Sequence, residues 1–159
     1  MKRSVLLALF AVLGLGIFQA NAQYTTGIGI RGTLGPGLTV KHHLSSDVAV
    51  EGILSSWYRG WVITGLYEQH YPAFQVTNLR WYIGAGGHVG VWSDRNDNHP
   101  WFEDNNGGLV IGLDLIGGLE YTLEDLPLNF SVDWKPAFNL VGYTGFWGSD
   151  GALSIRYVF

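Results

Sequence analysis

Leu109-Val110-Ile111-Gly112-Leu113-Asp114-Leu115-Ile116-Gly117-Gly118-Leu119-Glu120-Tyr121-Thr122-Leu123 alternates with a period of two. Ile111, Leu113, Leu115 and Leu119 are bulky and apolar, whereas Gly112, Asp114 and Glu120 are small or charged. Successive side chains of a strand point to opposite faces. The stretch therefore predicts a strand with one bulky apolar face and one face of glycine and charge.

Seven other segments read the same way, each bounded by turn-formers. They run roughly Thr25–Leu34, Leu38–Leu44, Val48–Trp57, Trp61–His70, Leu79–Trp92, Leu128–Asn139 and Ala152–Phe159. No helical pattern, internal repeat or linker interrupts them. Alternation puts Ile28, Ile30, Val40, Val50, Leu54, Ile63, Tyr67, Ile83, Val89, Val91, Phe130, Val132, Trp134, Phe138, Leu153, Ile155, Tyr157 and Phe159 on the apolar face. Gly27, Gly29, Arg31, Thr39, Lys41, Glu51, Thr64, Glu68, Gly84, Gly86, His88, Asp133, Lys135, Ser154 and Arg156 fall on the other.

Periodicity alone does not say which face is inside. A soluble ligand-binding barrel would turn the apolar set inward. Volume decides otherwise, because the interior of an eight-stranded barrel is only just wide enough for side chains. The aromatic-rich set is too large for it, and the glycine-and-charge set fits. The expected fold is all-β: an eight-stranded antiparallel up-and-down transmembrane barrel with its bulky face toward lipid. Such a chain must close on itself, because lipid leaves an open sheet edge unsatisfied.

The first twenty-two residues read as an address. Lys2 and Arg3 precede the almost wholly apolar Ser4–Phe18, and Ala20-Asn21-Ala22 supplies the small-x-small pattern that signal peptidase reads. The apolar run falls short of the about 20 residues a helical span needs. The expected domains are a signal peptide, 1–22, and one barrel, 23–159. Without Lys2 and Arg3, seven basic residues face thirteen acidic ones, a formal charge of −6. No basic stripe suits nucleic acid. The chain has no cysteine, so neither disulfides nor a thiol-linked lipid anchor is available.

An even number of strands puts both termini on one side. There the connections are Ser45-Ser46-Asp47, a segment around Pro72–Asn78, and a turn around Glu124-Asp125. The other side carries the long Ser93–Gly108 and Leu140–Gly151 loops, with short connections near Gly35-Pro36-Gly37 and Arg59-Gly60. Short periplasmic turns and longer outer loops are the outer-membrane arrangement. Pro136 lies inside the seventh strand and predicts a bulge or the end of regular pairing. His42 and Gln69 fall on the apolar face and belong near an interface.

The chain ends Leu153-Ser154-Ile155-Arg156-Tyr157-Val158-Phe159. A terminal aromatic after alternating apolar residues is similar to the signal that marks bacterial outer-membrane proteins for insertion. Leu153, Ile155, Tyr157 and Phe159 would form that signature. With eight strands and a leader, the chain resembles the small eight-stranded outer-membrane barrel proteins, the class of the outer membrane protein A transmembrane domain. The resemblance implies a Gram-negative outer-membrane location, with membrane lipid and the barrel-assembly machinery as partners. We expect a monomer with no nucleic-acid partner. Membership assigns no chemistry, since the class includes adhesins, stress-related barrels and lipid-modifying enzymes.

Candidate site residues are the interior charges Arg31, Lys41, Glu51, Glu68, His88, Asp114, Glu120, Asp133, Lys135 and Arg156. Asp94, Asn96 and Asn98 have calcium-loop spacing, but His99 stands where glycine is required and Asn105 where Glu is. Trp101 and Phe102 can anchor at an interface or fold over the mouth. A lipid-modifying enzyme would need a His, a Ser and a carboxylate in reach of one another. His88, Ser131, Asp133 and Ser154 inside, or His99, Ser93 and Asp97 in the long loop, offer the residue types without a diagnostic spacing. We expect no catalytic, metal or cofactor site. The expected role is structural or interactive, the alternatives being a lipid-modifying enzyme or a narrow transport barrel for small apolar solutes.

Turn lengths also predict register. A three-residue turn at Ser45–Asp47 pairs Leu44 with Val48 and sets Lys41 opposite Glu51. A two-residue turn at Glu124-Asp125 pairs Leu123 with Leu126 and sets Asp114 opposite Lys135. A two-residue Arg59-Gly60 turn sets Glu51 opposite Glu68, a repulsive pair that Arg31 or Arg156 would have to bridge.

Overall fold

The computed structural model describes residues 25–33, 35–57, 60–92, 108–142 and 144–159. Its strands are β1 (Thr26–Gly32), β2 (Pro36–His43), β3 (Val48–Trp57), β4 (Gly60–Pro72), β5 (Leu79–Trp92), β6 (Leu109–Thr122), β7 (Leu128–Trp134), β8 (Ala137–Val141), β9 (Gly145–Trp147) and β10 (Gly151–Val158). All pairings are antiparallel. Neighbours in sequence pair from β1 to β6, β6 pairs with β7, β7 with β10, and β10 returns to β1. The ring is closed. β7 and β8 both lie along β6 and form one interrupted stave, so the wall has eight staves in up-and-down order.

The interruption falls at Lys135-Pro136. β6 keeps one register across it, pairing Gly117 with Trp134 and Asp114 with Ala137. The Pro136 carbonyl still accepts the Leu115 N–H at 2.9 Å. Only the bond that the missing proline N–H would donate is lost. Beyond this point the stave changes its second neighbour. β7 pairs with β10, whereas β8 pairs with the short β9. A register shift between Ile111 and Gly112 ends regular pairing of β6 with β8.

The faces separate as alternation requires. Ile30, Ile63, Leu113, Leu115, Val132 and Leu153 are each at least half exposed on the outside. Arg31, Lys41, Glu51, Glu68, Asp114, Glu120 and Arg156 are at most 2% exposed inside. The interior also holds an apolar cluster of Ile53, Leu66, Tyr82 and Ile116. Space is tight where glycine faces a neighbouring backbone. A Cβ on Gly86 would sit 1.8 Å from the Gly65 carbonyl oxygen, whereas one on the outward Gly52 would meet nothing within 4 Å.

Of the register expectations, one holds and two change. Leu44 N–H donates to Val48 O, and Lys41 lies opposite Glu51. The connection after β6 is longer than two residues: Leu123 N–H donates to Leu128 O. Pro127 cannot donate to a ladder, so pairing resumes after it. Asp114 consequently faces Ala137 rather than Lys135. Between β3 and β4 the last pair is Trp57 with Gly60, which places Glu51 opposite Leu66 and Glu68 opposite Ala49. Gly60 is the first residue of β4, paired with Trp57 and Trp92, and a Cβ there would meet the Trp92 ring at 2.3 Å. The direct Glu51–Glu68 opposition does not arise.

Candidate functional site: the charged interior

Period-two alternation aims the polar residues of every stave at one narrow space, and closure brings distant strands together there. Three groups of side chains result, at successive levels between the end that carries the termini and the opposite mouth.

The group nearest the termini is built on Lys41. Its ammonium Nζ lies 2.8 Å from Glu68 Oε2, 3.3 Å from Glu51 Oε2 and 3.4 Å from Glu120 Oε2. It also sits 4.0 Å from the centre of the Tyr82 ring, in cation–π position. Arg156 closes the cluster from β10. Its Nη2 meets Glu51 Oε1 at 2.6 Å, Nε donates to Thr39 Oγ1 at 3.2 Å, and Nη1 donates to Ser131 Oγ at 2.8 Å. Thr39 in turn donates to Glu51. His70 lies between two carboxylates, with Nε2 3.1 Å from Glu68 Oε2 and Nδ1 3.1 Å from Glu120 Oε1. Its ring stacks on Tyr82 and tilts against His43.

The middle group is one ion pair. Arg31 Nη1 donates to Asp133 Oδ2 at 2.7 Å, and Nη2 lies 2.6 Å from Oδ1 as an ion-pair contact. The Tyr82 hydroxyl donates to the same carboxylate at 3.1 Å. A hydrogen bond between ionised partners is stronger than one between neutral groups.

The third group lies toward the opposite mouth. Lys135 Nζ meets Asp114 Oδ1 at 2.8 Å and Asp150 Oδ2 at 3.0 Å. The lysine reaches Asp114 diagonally along the wall, which makes the expected contact despite the changed register. His88 Nδ1 lies 2.7 Å from Asp114 Oδ2, and its Nε2 lies 3.0 Å from Asn139 Oδ1. His88, Asp114, Lys135 and Asp150, with Ser55, Ser56 and Trp147, line a cavity of about 70 Å³.

All ten interior charges named from the sequence are buried and face inward. They divide among the three groups rather than converging on one centre. The combination His88, Ser131, Asp133 and Ser154 is not assembled. Both ring nitrogens of His88 are engaged by Asp114 and Asn139, Ser131 serves Arg156, and Asp133 serves Arg31. Ser93, Asp94, Asn96, Asp97, Asn98, His99, Trp101, Phe102 and Asn105 lie outside the described residues. Leu153, Ile155 and Phe159 face outward, with Tyr157 half-buried beside Phe159. Phe159 is tied down by the bond from its N–H to Thr26 O.

Tyr82, His43 and His70 are interior residues absent from the sequence-based set. Parity was the available signal. His43 shares the odd parity of Thr39 and Lys41 on β2, His70 the even parity of Thr64 and Glu68 on β4, and Tyr82 that of Gly84, Gly86 and His88 on β5. The chain matches no model of a known protein family and no curated protein.

Proposed function

We propose that the chain is a non-catalytic integral barrel of a Gram-negative outer membrane, with a structural or interaction role. On this reading it is exported through a signal peptide, starts at Gln23 when mature, is inserted by the barrel-assembly machinery through Leu153, Ile155, Tyr157 and Phe159, and acts as a monomer in lipid. The observation that supports the reading is the inverted distribution of polarity. The outside is a continuous surface of exposed Ile, Leu, Val, Phe and Trp, while eighteen buried polar or charged residues are among those that fill the inside. In water such an exterior would be a very large apolar patch, whereas lipid is the solvent it suits.

A charge-filled interior also argues for a closed barrel over a pore. Lys41, Arg31, Arg156 and Lys135 each bridge to a carboxylate on another strand. Ion pairs of this kind leave little continuous room for water in eight strands. Purified protein reconstituted into planar bilayers is expected to show no steady conductance above the lipid background. Long-lived openings of uniform size would contradict the plugged interior and favour transport.

A further inference from the structure

We propose that His43, His70 and Glu120 form a binding site for a divalent transition-metal ion of the zinc class, at the end of the interior nearest the chain termini. The residue pattern alone predicts no metal site. Each residue offers one donor atom, and no two of these atoms are farther apart than 4.8 Å. All three residues are buried.

The donor set is two imidazoles and one carboxylate. Borderline-soft divalent ions, Zn²⁺ above all, take this set, and three protein donors leave a fourth position for water. Donors at about 2.0–2.2 Å from a tetrahedral ion lie roughly 3.3–3.6 Å apart. His70 Nδ1 and Glu120 Oε1, at 3.1 Å, are already near that separation. They are close without the alignment of a hydrogen bond, so His70 Nδ1 has no aligned partner. His43 completes the set by rotating its ring, which lies 5.0 Å from that of His70 and at the rim of the interior.

The surroundings match what a metal-bound histidine needs. A ligating His usually gives its other ring N–H to a carboxylate, which fixes the tautomer and the ring orientation. His70 Nε2 lies 3.1 Å from Glu68 Oε2, and Lys41 holds that same carboxylate oxygen at 2.8 Å. Glu120 divides its oxygens in the same sense, with Oε2 toward Lys41 and Oε1 toward His70.

The inference rests on side-chain geometry inside the barrel and does not require the membrane reading.

Titration of the full chain, folded in detergent and stripped with a chelator, tests the site with Co²⁺ as a spectroscopic probe and Zn²⁺ as competitor. One Co²⁺ per chain is expected, with visible d–d absorption that Zn²⁺ abolishes. His43→Gln should weaken binding at least as much as the roughly 100-fold that loss of an outer-shell partner can cost. His42→Gln should leave binding unchanged, because His42 points outward on the same strand. Absence of saturable binding, or equal binding by His43→Gln, would overturn the proposal. Should His43→Gln not fold, X-ray absorption on the Zn²⁺-loaded wild-type chain decides. Two imidazoles in the first shell support the site, and a shell without imidazole refutes it.

Discussion

Lys41→Met is expected to destabilise the barrel by roughly 3–5 kcal/mol, the cost of leaving buried charge without its partner. Lys41 is fully buried and stands among three carboxylates. Removing it leaves Glu51, Glu68 and Glu120 together, with Arg156 in contact with Glu51. A second substitution should rescue unequally. Adding Glu68→Gln removes the carboxylate closest to Lys41 and should recover coupling of roughly 0.5–3 kcal/mol. Adding Glu51→Leu should recover less, because it also strips Arg156 and Thr39 of their acceptor. Urea unfolding in detergent measures all three. Full recovery by Glu51→Leu would mean that Lys41 and Glu51 form a private pair, contrary to the shared cluster.

Arg31 and Asp133 should behave differently, because among the described residues each is the other's ion-pair partner, with the Tyr82 hydroxyl on the same carboxylate. Either Arg31→Met or Asp133→Leu alone is expected to cost roughly 3–5 kcal/mol. The double substitution replaces both charges with apolar volume, an exchange that is often neutral or stabilising. It should retain a loss of only about 1 kcal/mol, for the Tyr82 hydroxyl left without its acceptor. A double-mutant cycle by chemical unfolding reads the difference. Additive losses would show that the two charges are stabilised independently of each other.

The strands and their two faces were legible because alternation is local. The Leu109–Leu123 pattern alone gives the orientation of Asp114 and Glu120, and β6 carries both inward. The turns were less legible. Two registers moved, one because pairing resumes after Pro127, which lacks an N–H, and the other because Gly60 lies in the strand rather than in the turn. The change of neighbour at Pro136, and β9 itself, were not foreseen, because the second partner of the seventh stave depends on where β10 begins. Within the interior, Lys41–Glu51 could be derived from one hairpin. The contacts of Lys41 with Glu120 and of Arg156 with Glu51 could not, since they cross between strands far apart in sequence. Tyr82, Ile53, Leu66 and Ile116 have inward parity, but their bulk resembles that of the outer face. Size and polarity suggested one side for them and register the other, and register prevails.

On the proposed function the apolar outside faces lipid. The chain has no cysteine, so single cysteines can be placed at will. Leu113, Val132 and Ile155 are 57%, 50% and 45% exposed on three staves of the wall. Spin labels attached to Leu113→Cys, Val132→Cys and Ile155→Cys, each in bilayer vesicles, report their surroundings through two relaxation agents. Strong relaxation by lipid-soluble oxygen and weak relaxation by a water-soluble nickel chelate are expected at all three positions. The reverse ratio at these positions would place the apolar face in water and contradict the membrane barrel.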